Sequence, residues 1–297
     1  SHILQFYRPG RPLKLFIDAS NGMAGKLVPK VFDGLDDLEI VPLNFEITGE
    51  FVHEPNPLDP ANMAWTEEGV VKHGANLGAC FDGDADRCMI VDDQGETVGC
   101  DHLTALFADH FLKQEEGSPI VYDLRSSKAV EQTIRDRGGE PVRSRVGHVF
   151  MKGALREQGA IFGGELSGHF YFRDNFYADS GAIALAVTLS IMREQEGTLS
   201  ELVEPYRCYP QSGEINFKTA DKQAVMDQLK ADYGQKGSID ELDGVTVDAF
   251  DNAGWWFNVR ASNTEPLLRL NAEAKDESTL KSLLEEIKPR LGEPAEH

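Results

Sequence analysis

Between Phe81 and Arg87 the sequence reads Phe-Asp-Gly-Asp-Ala-Asp-Arg, which sets carboxylates at Asp82, Asp84 and Asp86 directly after the apolar run Leu77 to Phe81. Two like charges about 4 Å apart repel by roughly 4 kcal/mol at an effective dielectric near 20, so three on one short loop call for a cation. Oxygen-only ligands select a hard ion, Mg2+ ahead of Zn2+. A solvated acidic turn is the plainer explanation of such a run. Two features speak against it: a strand-like segment delivers the loop, and Arg87 closes it with a fixed cation suited to phosphate. An EF-hand fits poorly, because its sixth position would be Arg87 in place of Gly and its twelfth Asp93 in place of Glu.

Further groups with chemistry follow. Gly163-Gly164-Glu165-Leu166-Ser167-Gly168-His169 opens backbone space beside a carboxylate, a hydroxyl and an imidazole, a set able to hydrogen-bond vicinal sugar hydroxyls. The stretch Arg260-Ala261-Ser262-Asn263-Thr264-Glu265-Pro266, with Arg269, offers guanidiniums, hydroxyls, an amide and successive backbone N–H groups, an oxyanion nest for a phosphate dianion. His148 follows Gly147 and stands one helical turn before Lys152. A lone His is more often structural than functional.

The elements that must position these groups alternate. Leu13 to Ile17, Leu38 to Leu43 and Leu77 to Phe81 read as strands, with helices over Ala24 to Phe32 and Pro60 to His73 between them. This βαβαβ order puts the acidic loop at the carboxyl end of the third strand, where open α/β sheets place ligands. A similar unit follows: helix Asp101 to Lys113, strand Ile120 to Asp123, helix Ser127 to Arg137 ended by Gly138-Gly139, strand Pro141 to Val146, helix from His148 to Gln158, strand Ala160 to Gly163. After Pro205 the order becomes strand Glu214 to Lys218, helix Lys222 to Tyr233, strands near Val245 to Phe250, Trp256 to Arg260 and Leu267 to Ala272, and a helix from Glu277. The expected fold is therefore α/β: two tandem βαβ-type mixed-sheet domains, residues 1–97 and 98–206, then a smaller α+β domain, 207–297, with a partly antiparallel sheet.

At 297 residues the chain suffices for two or three domains, and 29 basic against 50 acidic residues leave a net charge of −21. That balance argues against a nucleic-acid surface, so any bound phosphate must meet locally placed cations. The longest apolar stretch, Ala182 to Met192, is interrupted by Thr188 and Ser190 and falls short of the roughly 18 residues of a membrane span. The opening residues carry no secretory pattern. Four cysteines, at 80, 88, 100 and 208, form neither zinc pairs nor a disulfide framework, which points to a reducing cytoplasm and buried free thiols.

With these motifs in order, the chain resembles the α-D-phosphohexomutases, the phosphomannomutases and phosphoglucomutases. The metal loop is similar over Asp82 to Arg87, with Ala85 where Gly is usual; the sugar loop over Gly164 to His169, with Leu166 where Met is common; the phosphate loop over Arg260 to Pro266. The resemblance spans the chain as the family's second, third and fourth domains. It implies reversible 1-phosphate to 6-phosphate transfer on a hexose through a phosphorylated serine and a bisphosphorylated sugar. It also implies Mg2+ on Asp82, Asp84 and Asp86, and Arg87 steadying the phosphoryl group. Arg260, Ser262, Asn263, Thr264 and Arg269 would grip the distal phosphate, while Glu165, Ser167 and His169 would read the sugar. His148 gains standing as a proton-transfer or phosphate-contact residue, Lys152 as a substrate contact, and Arg125 as a phosphate contact where relatives often carry Lys.

The family's serine-bearing first domain has no counterpart in these residues. Asp18-Ala19-Ser20-Asn21-Gly22 resembles its loop superficially, but its place after the first strand matches the second domain's turn, so Ser20 is not expected to be the nucleophile. The expectation is a fragment that binds mannose or glucose 1- and 6-phosphates and bisphosphorylated hexose without isomerising them unaided. Phe170-Tyr171-Phe172-Arg173-Asp174 and Tyr177-Ala178-Asp179-Ser180-Gly181 resemble mannomutase members, which favours mannose, with a glucose or dual preference as the runner-up. A non-catalytic sugar-phosphate binding protein is the alternative of another class; a metal-dependent hydrolase would need a nucleophile or metal-bound water of its own.

Overall fold

The computed structural model describes residues 2–262 and 265–295. Its chain divides into two compact units: one of residues up to Tyr122, Val130–Val142 and Gly147–Tyr206, the other of Asp123–Ala129, Arg143–Val146 and the chain from Arg207 on.

In the first unit, β1 (Leu13–Asp18), α1 (Ala24–Phe32), β2 (Leu38–Leu43), α2 (Pro60–His73), β3 (Leu77–Phe81) and β4 (Cys88–Val91) build a sheet of order β2-β1-β3-β4. Leu13, Leu15, Phe16 and Ile17 of β1 are buried, as an apolar run between two parallel neighbours requires. Asp59 caps α2 by accepting from the Ala61 N–H at 2.9 Å, Pro60 sits in its first turn, and Gly74 ends it with φ of +59°. The strand after the acidic loop was not expected. β4 runs antiparallel to β3 with Phe81 opposite Cys88, so the loop is a hairpin connection held at both ends.

The second sheet repeats the device. Here α3 (Cys100–Gln114), β5 (Pro119–Asp123), α4 (Lys128–Asp136), β6 (Glu140–Ser144), α5 (His148–Gln158), β7 (Phe162–Gly164), β8 (Phe170–Phe172) and β9 (Ala178–Asp179) give the order β6-β5-β7-β8-β9. β5 and β7 are parallel, β7 and β8 antiparallel with Gly164 opposite Phe170, so the glycine-rich loop also links a parallel strand to an antiparallel one. α6 (Gly181–Glu194) is buried nearly all round and α7 (Leu199–Val203) follows it. The Thr188 and Ser190 hydroxyls donate to the carbonyls of Ala184 and Ala186, both at 2.9 Å, which makes this apolar stretch a core helix. Among the described residues no helix is long and apolar enough to cross a membrane.

The second unit carries β10 (Ile215–Lys218), α8 (Lys222–Tyr233), β11 (Ser238–Asp240), β12 (Val245–Ala249), α9 (Phe250–Ala253), β13 (Trp255–Ala261), β14 (Leu267–Ala274), α10 (Glu277–Leu291) and β15 (Glu293–Ala295) in the order β11-β12-β13-β14-β10-β15. Every described pairing is antiparallel. Phe217, Tyr233, Phe257, Leu268 and Ile287 anchor its core. Cys80, Cys88 and Cys100 are buried, but Cys208 is exposed, contrary to expectation, because it lies outside the regular elements in the segment before β10.

Gly181 opens α6 against the acidic loop: a Cβ there would lie 2.8 Å from the Arg87 carbonyl oxygen and 3.1 Å from that of Ala85. Backbone oxygens yield only if the loop moves, so Gly181→Ala should destabilise the chain by about 1–3 kcal/mol. Gly153, inside α5 with nothing near its Cβ position, gives the opposite sign: Gly153→Ala should stabilise by roughly 0.5–1 kcal/mol. Thermal unfolding followed by circular dichroism checks both; equal shifts would mean that the contact with the loop does not decide the effect.

Candidate functional site

The acidic loop owes its shape to an internal ion pair. Asp82, 2 % exposed, accepts the Arg87 backbone N–H at 3.2 Å on one oxygen and the Arg87 Nε–H at 2.7 Å on the other. A further guanidinium nitrogen donates to Asn56 Oδ1 at 3.3 Å. Ala85 turns the chain with φ of +65°, a conformation that costs an L-residue roughly 1–2 kcal/mol and glycine nothing, which explains why its place suits Gly. Burial and the neighbouring Asp82 push the Asp86 carboxyl up to about 6. Ser20, by contrast, is buried at 1 % exposure, and its hydroxyl donates to the Phe81 carbonyl at 2.6 Å; it supports the loop and is not free to act as a nucleophile.

Around the glycine-rich loop, in the same unit, Glu165 is 3 % exposed and accepts the Gly147 N–H at 3.1 Å and the Tyr171 hydroxyl at 2.9 Å. Gly164 is required because a Cβ there would strike the Thr104 side chain. Ser167 Oγ is a buried atom without a hydrogen-bond partner. His169 and His148 face each other with ring centroids 4.1 Å apart. Both direct Nδ1 toward one oxygen of Asp179, at 3.0 Å from His169 and 3.4 Å from His148, while Lys152 Nζ takes the other oxygen at 2.9 Å. His169 Nδ1 also lies 3.8 Å from Asp86 Oδ1, so the glycine-rich loop meets the acidic loop. Although burial opposes it, hydrogen bonds from His169 and Lys152 hold the Asp179 carboxyl well below the usual carboxylate range. Burial, and then the neighbouring His169, lower the pKa of His148.

The second unit gathers cations. Arg260 and Arg269 stand opposite each other on β13 and β14, a like-charge pairing that is unfavourable unless bridged. Glu214, just before β10, bridges it: its oxygens accept from Arg260 at 2.9 Å and from Arg269 at 2.8 Å. Arg125 adds a third guanidinium at 3.4 Å from Glu214 and pairs with Asp123 at 2.8 Å. The Nε atoms of Arg260 and Arg269 are buried without hydrogen-bond partners, which leaves donor capacity for a further anion. Ser262 Oγ accepts the Glu265 N–H at 3.2 Å. Asn263 and Thr264 lie outside the described residues.

Among the described residues, two groups have ligand atoms close enough for a metal, within 4.8 Å of one another: Asp82, Asp84 and Asp86, and His148, His169 and Asp179. The first is all oxygen, and Asp86 Oδ1 is a buried atom without a hydrogen-bond partner, so it fits a hard cation. The second already holds the Lys152 ammonium on Asp179, and the Tyr171 hydroxyl lies 3.1 Å from His148 Nδ1, so part of its charge is neutralised from within the protein, and its two imidazole ligands suit a hard cation less well.

Three residues of these clusters escaped the sequence reading as site residues: Asp179, Tyr171 and Glu214. Asp179 stands in a polar stretch noted only for its likeness to mannomutases. Tyr171 sits in an aromatic run that reads as core, and Glu214 reads as the start of a strand. An acid at the first position of a predicted strand, in a region where two other predicted strands carry Arg260 and Arg269, is the one signal that could have singled out Glu214.

Comparison with known proteins matches three family models. Phosphoglucomutase/phosphomannomutase alpha/beta/alpha domain II covers residues 2–95, alpha/beta/alpha domain III residues 100–209, and the C-terminal domain residues 214–289. A phosphomannomutase of Methanocaldococcus jannaschii is 41 % identical over 276 residues, 93 % of this chain and 60 % of that protein. A phosphomannomutase of Vibrio cholerae is 38 % identical, over 94 % of this chain and 62 % of that one. A protein of Xanthomonas campestris named for phosphohexose mutases is 39 % identical, over 91 % and 60 %. The crystal structure of a phosphoglucomutase/phosphomannomutase family protein from Burkholderia thailandensis superposes with a TM-score of 0.88 at 31 % identity, over 98 % of this chain and 62 % of that one. The chain thus spans about three fifths of the length of these relatives.

Three guanidiniums hold the Glu214 carboxyl below its ordinary 4.5 against the opposing effect of burial. A depressed folded pKa contributes stability that is present above the unfolded value and lost as pH falls through the folded one. Glu214→Gln should therefore cost about 1–3 kcal/mol at neutral pH and progressively less below about pH 4.5. Urea unfolding followed by fluorescence, to which Trp255 and Trp256 of this unit contribute, measures the gap; a gap independent of pH would mean that the charge of Glu214 is not what holds the arginines.

Proposed function

The chain belongs to the phosphoglucomutase/phosphomannomutase family, and from that premise we propose that it acts in the interconversion of hexose 1-phosphates and 6-phosphates, an isomerase reaction, with mannose phosphates preferred. The observation that carries this reading is the meeting of a sugar-reading loop with a carboxylate loop in one unit, His169 lying 3.8 Å from Asp86. Glu165, Ser167 and His169 bind ring hydroxyls, helped by Lys152 and His148, while Arg87 faces the transferring phosphoryl group. In the second unit Arg260, Arg269, Ser262 and Arg125 bind a phosphate dianion, with Asn263 and Thr264 assigned to the same role by the family motif alone. Positioning and charge neutralisation supply most of the catalysis in such transfers. Asp82, Asp84 and Asp86 are the residues to hold Mg2+, which when bound neutralises phosphoryl charge. The proposed domains are residues 1–97, 98–206 and 207–297, and the proposed setting is the cytoplasm. A broader hexose preference is the second reading, favoured by the relative named for phosphohexose mutases.

Calorimetry separates the sugar and phosphate roles. Glu165→Ala or His169→Ala should weaken mannose 6-phosphate binding about tenfold or more while leaving inorganic phosphate nearly unaffected, whereas Arg260→Lys, which loses the fork geometry, should weaken both ligands. Equal losses for both ligands in the Glu165 and His169 variants would move those residues to the phosphate. Mg2+ titration tests the carboxylate loop: the heat of binding seen with the native chain should disappear in Asp84→Ala, and its persistence would remove the site from that loop.

A further inference from the structure

Tyr171 is fully buried, and its ring packs against Met151, Leu155 and Ala160. Its hydroxyl nevertheless meets two polar neighbours. It donates to Glu165 Oε2 at 2.9 Å and lies 3.1 Å from His148 Nδ1. A phenol carries one proton. Glu165 receives it, and the other Glu165 oxygen accepts the Gly147 N–H, so this carboxylate behaves as an acceptor on both sides. The phenol oxygen can then only accept from the imidazole, which places the His148 proton on Nδ1. Asp179 Oδ2, 3.4 Å from the same nitrogen, favours the same arrangement. The charged and titratable groups facing His148 are His169, Asp179, Glu165 and its helix neighbour Lys152; the two oxygens at Nδ1 are those of Tyr171 and Asp179, and the ring is half-exposed.

Resting on the sugar-binding reading above, we propose that Tyr171 is a positioning residue that holds His148 as the Nδ1–H tautomer, so that its Nε2 lone pair accepts a hydrogen bond from a substrate hydroxyl and disfavours a phosphate oxygen. This separates the two roles that the sequence left open for His148. A lone pair cannot bind an anion's acceptor oxygen, while every ring hydroxyl has a proton to give. Phenylalanine at 171 preserves the packing and removes only the oxygen.

The test uses the 297-residue chain labelled with 15N-histidine, with the His148 signals assigned by their absence in His148→Gln. The native chain near neutral pH should carry the proton on Nδ1. Tyr171→Phe should shift population toward the Nε2–H tautomer and weaken mannose 6-phosphate binding by about three- to tenfold, with inorganic phosphate binding unchanged. A proton on Nε2 in the native chain overturns the proposal, as does a Tyr171→Phe chain whose tautomer and sugar affinity both match the native ones. Native chain that binds no hexose phosphate overturns the sugar reading instead, since the spectrum decides the tautomer without any ligand.

Discussion

Charge crowded beyond what an isolated loop would tolerate, and relieved by a few opposite groups, is the constraint on which the candidate site residues depend. Asp82 spends both oxygens on Arg87, which shapes the hairpin loop and leaves Asp84 and Asp86 less neutralised. In the second unit the signs are exchanged: Glu214 bridges Arg125, Arg260 and Arg269, while Asp123 and Glu265 pair with Arg125 and Arg269. Neither cluster satisfies every buried hydrogen-bonding atom. A buried Asp86 oxygen and two buried guanidinium Nε atoms lack hydrogen-bond partners, and an unsatisfied buried polar atom costs about 1–3 kcal/mol. Such residual deficits fit the proposal that the carboxylate loop takes a cation and the arginine cluster an anion.

Much of the fold was legible because its strands obey burial so strictly. β1 and β3 are apolar runs flanked on both sides, and the bounds of β2, β3, α1 and α2 agree with those read from periodicity. What periodicity missed were short antiparallel returns. β4 begins with Cys88, directly after a charged loop, and β8 is only Phe170–Phe172. Strands this short show no alternation to count. Yet these two returns turn each site loop into a hairpin, so the device that fixes the loops was the part of the architecture least visible in the sequence.

The site divides along the same line. Residues whose chemistry is local, such as the alternating aspartates and the glycine-flanked Glu165 and His169, announce themselves. Partners supplied from a distance in sequence do not. Glu214 meets Arg260 and Arg269 only because β10 pairs with β14, and Asp179 reaches His148 and Lys152 from the far side of β8. Arg125, expected as a phosphate contact, is also tied to Asp123 and Glu214. Sheet topology created these pairings, and no spacing rule contains them.

A chain with net charge −21 would be expected to repel phosphate esters, and the arrangement of its cations answers how binding could still win. At physiological salt the screening length is about 8 Å, so the many surface carboxylates act on an approaching dianion only weakly. Contacts near 3 Å inside a partly buried cluster are screened far less. Arg260 is 2 % exposed, and burial and then its neighbour Arg125 lower its pKa, which is the price of holding cations together before the anion arrives. On the proposed phosphate-binding reading, an incoming phosphate would relieve repulsion that the fold has already tolerated. Sensitivity to the identity of the arginines, with little sensitivity to the surrounding negative surface, is the electrostatic behaviour this arrangement dictates.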